Sequence, residues 1–287
     1  MTGEQLLYLS SSVGLTVGRN IISKKIATDS SDRAQFFFSQ MLLFGAATAL
    51  LTLLGLGGLT SLSTTTLWLG ILYGVFLILA QWAYTFALGL GTTSVCVVVY
   101  AMGFILPTVS GHFFWNEEFT LLNGVGVALA AVVILLSAKK DGKNKKTSKA
   151  FIPFIIVAML SSGMLGILQK VHQSSASSFE KSQFVIIGLG FAFLASMTAF
   201  LLCKNKRAPK FNQSVFPVLA GCCFGGANLC NTTLAGAMKS AVFFPLQNIS
   251  TVFISALLGL IVFREKLTLK TVIILALGAA VILLFSL

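Results

Sequence analysis

The chain has 287 residues, of which 56% are hydrophobic and 10% charged, and its mean hydropathy is +0.92. Ordinary soluble domains carry about a quarter charged residues, so a water-soluble globule is excluded. The formal net charge of +12 is not spread like a nucleic-acid footprint, because it gathers in a few short loops.

Apolar runs of about 20 residues, enough to cross a hydrocarbon core of roughly 30 Å, recur along the whole chain. In order, the predicted spans are 5–23, 35–56, 66–88, 92–114, 119–138, 150–170, 181–203, 213–236, 240–263 and 268–287. This is the pattern of an all-α membrane protein with ten transmembrane helices and no room for a soluble domain. The first span is not expected to be a cleavable signal peptide: no basic residue precedes it, and Glu4 stands where a positive segment belongs. It carries Arg19 about one helical turn inside its end, with Asn20 beside it. Such an arginine either snorkels its head to the interface or faces a polar interior, where it favours an anionic or zwitterionic solute.

The third and fourth spans hold Gln81, Tyr84 and Tyr100. Uncharged polar side chains inside a bilayer serve as interhelical glue worth on the order of 1 kcal/mol each, or as the lining of a path. Trp82, Tyr84 and Trp115 also suit an aromatic belt at the interface, and His112 near a helix end suits an interface as well. Gly70/Gly74 and Gly221/Gly225 are small-xxx-small pairs expected to mark close helix packing. Pro107 and Pro245 lie within the fourth and ninth spans and are expected to kink them. The second half adds Gln169, Asn228, Asn231, Gln247 and Asn248. Lys170 and Lys239 stand at span ends and have the same two fates as Arg19. All eight acidic residues fall at span ends or in loops, so no carboxylate is available at mid-membrane to bind a cation or relay a proton. The five cysteines form no CxxC pair, mostly fall in apolar segments and are read as packing residues; no metal site and no cofactor motif is visible.

The chain is also internally duplicated. Glu117-Glu118-Phe119-Thr120-Leu121 aligns with Glu265-Lys266-Leu267-Thr268-Leu269 at an offset of 148, and ten of the 21 pairs from Glu117/Glu265 to Ser137/Phe285 are identical. A shift of 147 places Gly74 on Gly221, Gln81 on Asn228, Thr85 on Thr232 and Gly89 on Gly236. Gln81 and Asn228 therefore stand out from the other amides. Near the starts of the halves, Lys25 falls loosely with Lys170. Residues 1–138 form a first repeat, the Lys-rich stretch 139–149 a linker, and residues 150–287 a second repeat. Five spans is an odd number, so the second copy enters the membrane from the opposite side and the repeats are inverted. Glu117 and Glu265 are read as capping the helices that follow them, with Thr120 and Thr268 nearby. The loops on one side carry 16 basic residues and those on the other only Lys170, Lys181 and Lys239. The positive-inside rule then puts both termini outside the cytoplasm.

Ten spans in two inverted halves, with Glu-x-x-Thr opening the last helix of each and the Gln81…Gly89 and Asn228…Gly236 helix ends before them, resemble the drug/metabolite transporter superfamily, in particular its EamA-like members. The resemblance covers essentially the whole chain. It implies alternating access without ATP and a central cavity lined by the first, third and fourth helix of each half. Relatives of that kind usually keep both termini in the cytoplasm, opposite to the charge count here.

The function expected is therefore secondary transport of a small polar metabolite, zwitterionic or anionic and amino-acid-like, across the plasma membrane. The expected path is lined by Asn20, Gln81, Tyr84, Tyr100, Gln169, Asn228, Asn231 and Gln247, with Arg19 at one mouth. The alternatives are an exporter of drugs or toxic compounds and a channel, although no ring of charge or filter-like segment supports a channel. No catalytic constellation is present, so the protein is not expected to be an enzyme. The partners expected are the solute and the lipid bilayer, with the protein as a monomer or homodimer and no nucleic acid.

Overall fold

A computed structural model of the protein describes residues 2–29, 32–56, 62–91, 93–117, 150–175, 177–204 and 211–263, with scattered positions between 121 and 132 and between 269 and 284. The described residues are helical almost throughout and include no strand. Helix α1 spans Gly3–Asp29, α2 Arg33–Leu51 with a π turn at Thr52–Leu56, and α3 Thr64–Leu90. A fourth span is broken into α4 (Thr93–Ala101), a 3-10 turn (Met102–Phe104) and α5 (Ile105–Trp115). Then come α6 (Phe151–Gln173), α7 (Lys181–Leu201), α8 (Phe211–Ala237) and α9 (Ser240–Phe263).

Among the described residues, six stretches are long and apolar enough to cross a membrane: Arg33–Leu54, Thr64–Leu90, Val95–Trp115, Phe151–Gln173, Ser178–Leu201 and Gln213–Ala237. The chain is thus a multi-pass, all-helical membrane protein. Its outward faces agree, with Trp68, Phe113, Phe114, Leu194 and Leu219 exposed where lipid would meet them. The expected spans 119–138 and 268–287 lie largely outside the described residues, as do Thr120, Glu265, Thr268 and the linker 139–149. The positions described within those two spans are helical.

Local chemistry explains most helix ends. The Asp32 carboxylate accepts from Gln35 N at 2.9 Å and caps α2, while Ser63 Oγ accepts from Thr66 N at 3.2 Å and caps α3. Ser63 is itself held by Glu180, which accepts from its Oγ at 2.7 Å and from its backbone N–H at 3.1 Å. Asn116 ends α5 in the left-handed region at φ 52°, a conformation asparagine tolerates better than most residues. In the fourth span Pro107 has no N–H for the Gly103 carbonyl, and the helix tightens to 3-10 geometry there.

One sequence expectation is corrected here. Helix α1 runs past residue 23 through Lys24 and Lys25, so these lysines belong to a helix and not to a loop. Lys24 donates to the carbonyl oxygens of Leu88 and Gly91, the latter at 2.7 Å, which gives the C-terminal end of α3 a cation to complement its orphan carbonyls. The helix start that Glu117 was expected to cap lies outside the described residues; the Glu117 carboxylate accepts from the backbone N–H groups of Ser240 (3.1 Å) and Ala241 (3.3 Å), at the start of α9. Its carboxylate also lies 3.4 Å from Lys170 Nζ, and Lys170 donates to the Met238 carbonyl at 3.1 Å.

The helices pack as a bundle in which α1 lies along α8 and α6 along α3, while α2 meets α7 and α8, and α3 meets α7. Glycine sets the closest approaches. A Cβ on Gly74 would stand 2.7 Å from the Gly188 carbonyl oxygen, and one on Gly221 would collide with the Leu43 backbone. The small-xxx-small pairs are therefore packing devices, as expected. One apolar cluster gathers Leu43, Phe44, Tyr73, Leu77, Phe184 and Leu189; a second gathers Leu88, Val98, Met102, Ile155, Leu234 and Phe243. Tyr100 packs against both. No disulfide joins the five cysteines, and Cys96 is fully buried, its thiol donating to the Ala87 carbonyl.

Candidate functional site: a polar cavity around Arg19

A cavity of about 110 Å³ opens where α1, the broken fourth span, α6, α8 and α9 converge. That is room for several waters, or for a small solute in their place. Each wall is one stripe of a helix read at three- and four-residue steps. Thr16, Arg19 and Asn20 come from α1; Val97, Tyr100, Ala101, Phe104 and Pro107 from the fourth span. Helix α6 gives Ser162, Leu165, Gly166 and Gln169, and α8 gives Phe224, Ala227, Asn228 and Asn231. Phe244, Gln247, Asn248 and Thr251 complete the wall from α9. Gly166 lets the wall close, since a Cβ there would stand 2.9 Å from the Pro107 ring and 3.0 Å from the Phe244 ring.

Arg19 does not snorkel. It is 3% exposed, and its guanidinium carbon sits 5.0, 5.5 and 5.2 Å from the ring centres of Tyr84, Tyr100 and Phe224. Aromatic faces stabilise a desolvated cation by up to about 2 kcal/mol each. The ring faces do not pair with individual N–H groups, and Arg19 Nε and Nη2 and the neighbouring Tyr84 hydroxyl are all buried without a hydrogen-bond partner. No Asp or Glu lines the cavity among the described residues. A buried guanidinium without a counter-ion is costly enough to call for a reason.

The amides around it are fixed by their neighbours. Asn20 Nδ2 donates to Ser255 Oγ at 3.1 Å, which leaves its buried Oδ1 unpartnered. Gln169 Nε2 donates to the Tyr73 hydroxyl at 2.9 Å, and that hydroxyl donates to Asn228 Oδ1 at 2.6 Å. Asn228 Nδ2 donates to the Phe224 carbonyl at 2.8 Å. Ser12 Oγ donates to Asn231 Oδ1. The ring of polar groups is thus tied into α1, α3, α6 and α8.

Of the residues expected to line a path, Arg19, Asn20, Tyr100, Gln169, Asn228, Asn231 and Gln247 come together on this cavity, although Arg19 is within the wall and not at a mouth. Gln81 and Tyr84 do not line it. Gln81 faces its own helix, with Nε2 3.3 Å from Thr85 Oγ1 and Oε1 unpartnered. Tyr84 is fully buried behind the lining, beneath Arg19 and 4.6 Å from the Tyr100 ring. The reason is geometric: α3 is pressed against α6 and α7 and reaches the polar ring only through the long Tyr73 side chain. Lys170 also stays outside the cavity, in the cluster with Glu117.

Sequence reasoning missed Tyr73, Thr16 and Ser162. A signal for α1 was available: Ser12, Thr16, Arg19, Asn20 and Ser23 fall on one helical stripe, and four of them are buried. A helix with its polar stripe turned inward marks a polar interior. Tyr73 gave only the weaker signal that a mid-span hydroxyl needs a partner.

No family model matches the chain, and no curated protein matches it. Solved structures do: 28 chains match, so the arrangement of helices is not peculiar to this protein. One, described only as "Crystal structure of protein", superposes with a TM-score of 0.63 at 17% identity, covering 98% of this chain and 96% of its own. At that identity the likeness shows the fold alone.

Proposed function

We propose that the protein is a secondary transporter, a member of the drug/metabolite transporter superfamily with the EamA-like arrangement. It moves a small polar metabolite through the Arg19 cavity by alternating access, and it is not an enzyme. The observation that carries this reading is a buried cavity ringed by amides and one unpaired guanidinium, at the meeting of helices from both halves of a duplicated chain.

The element boundaries support the duplication. Helices α3 and α8 are each 27 residues long, and both their starts and their ends are 147 apart. Helices α4 and α9 also begin 147 apart, and α2 and α7 begin 148 apart. The packing follows the same exchange: α1 on α8 answers α6 on α3. The lysine pairing does so one residue from where the sequence suggested it. Lys24, not Lys25, answers Lys170, since Lys24 donates to Gly91 O and Lys170 to Met238 O, acceptors again 147 apart. We read residues 1–138 and 150–287 as two inverted five-helix repeats joined by the linker 139–149, ten spans in all, in a plasma membrane with both termini outside. Inverted repeats of this kind bind solute between their halves and rock one against the other.

Counterflow in proteoliposomes tests the reading. A carrier preloaded with unlabelled solute accumulates labelled solute transiently, and a channel does not. Flux without counterflow would replace the carrier with a pore, and absence of any solute movement across a broad panel of metabolites would overturn transport altogether.

A further inference from the structure

The two unpartnered nitrogens of Arg19 are not an arbitrary pair. Nε–H and the Nη2–H beside it lie parallel on one edge of the guanidinium plane, the edge that accepts both oxygens of a carboxylate at once. The neighbouring residue in sequence leaves an acceptor, Asn20 Oδ1, buried and unpartnered. Arg19 thus offers an empty fork for an anion, and Asn20, on the same cavity wall, an empty acceptor for a hydrogen-bond donor. Every other charged group is absent from the described cavity wall, so the site carries a single positive charge.

We infer that the solute is a small hydroxylated monocarboxylate, its carboxylate on the Nε/Nη2 edge of Arg19 and its hydroxyl donating to Asn20 Oδ1. This inference rests on the reading of the cavity as a solute site. Charge selects the class. A monoanion neutralises Arg19, whereas a phosphate dianion leaves one negative charge over. An amino acid brings an ammonium group for which the wall has no carboxylate, and its dipole leaves the site at +1. A cavity of about 110 Å³ limits the solute to a few heavy atoms, and Phe104, Phe224 and Phe244 supply an apolar bed for its carbon skeleton. Both nitrogens are covered in this conformation, so side chains packed around Arg19 shift for the carboxylate to reach them.

The test uses the full chain, purified in detergent for thermal shift and reconstituted for counterflow, with lactate, propionate, alanine, inorganic phosphate and choline as probes. Lactate is expected to raise the unfolding midpoint and to exchange. Propionate, which lacks the donor, should do so more weakly, and alanine, phosphate and choline not at all. Replacing a bidentate charge-assisted pair by a single ammonium, Arg19→Lys, is expected to weaken lactate binding by roughly 10- to 100-fold. Arg19→Met is expected to unfold at a higher temperature than the wild type without ligand, since it removes an unpaired buried charge, and to lose the lactate response completely. That combination separates binding from folding, because a purely structural arginine would destabilise on removal. Alanine binding as well as lactate, failure of lactate to bind the wild type, or an undiminished lactate shift in Arg19→Met would each overturn the inference. Lactate binding without counterflow would uphold the inference and overturn transport; exchange of choline unaffected by Arg19→Met would do the reverse.

Discussion

Tyr73 is the side chain on which the polar ring depends most, and it shows what a single hydroxyl does inside a membrane. It accepts from Gln169 and donates to Asn228, so its oxygen fixes the orientation of two amides on two different helices. Tyr73→Phe keeps the ring packed on Phe184, 4.7 Å away, and strands both amides. The expected cost is about 1–3 kcal/mol of stability, with solute exchange slowed because Asn228 is free to turn. Gln81→Leu is the contrast: it removes an unpartnered Oε1 outside the cavity and should leave exchange intact while raising stability by about 1 kcal/mol. Unfolding midpoints and counterflow rates on the two variants check both statements, and loss of exchange in Gln81→Leu would return that residue to the path. The site was legible in the sequence wherever polarity on a span coincided with a helix facing the centre, as at Arg19, Asn228 and Gln247. It was not legible at Gln81, because the repeat equates Gln81 with Asn228 while packing presses α3 away from the cavity and leaves α8 on it.

At the scale of the elements, glycine and one ion pair control how helices meet. Gly221→Val would drive a side chain into the α2 backbone at Leu43, where no flexible group can yield. Overpacking of this kind costs typically 1–3 kcal/mol, so α8 should separate from α2 and the folded yield in detergent should fall; unchanged yield would mean that α2 moves freely. The Glu117–Lys170 pair is tucked between helix ends, with its side chains 11% and 12% exposed. It joins the end of α6 to the start of α9 and the last residues after α8. A double-mutant cycle of Glu117→Gln and Lys170→Met should return a coupling energy of about 0.5–3 kcal/mol, read from thermal or denaturant unfolding; additive effects would show that the pair is incidental. Most spans were legible from length and apolarity alone. The exceptions have physical causes: α1 continues beyond its apolar run because Lys24 finds carbonyl oxygens to bind, and the fourth span breaks where Pro107 removes a backbone donor.

For the molecule as a whole, the 16 basic residues that the ten-span reading assigns to one side, against three on the other, make orientation testable with a reporter fused after Leu287. An active phosphatase and a dark fluorescent protein are expected, and the reverse pattern would show that the EamA-like habit overrides the charge bias. The proposed duplication has a further limit: the position that answers Arg19 is Leu165 in the register of the lysines and Gly166 at a shift of 147, so among the described residues the cavity wall holds a single cation with no twin. Electrically, this makes the two halves of the proposed transport cycle unequal. With a monoanion aboard, the moving core is neutral and indifferent to the membrane potential. Empty, it carries one elementary charge through part of the field, worth at most about 2.3 kcal/mol per 100 mV. In the proposed cycle the membrane voltage therefore acts on the return of the empty carrier and not on the passage of its cargo, so net one-way flux feels the voltage while one-for-one exchange, which never returns the carrier empty, does not.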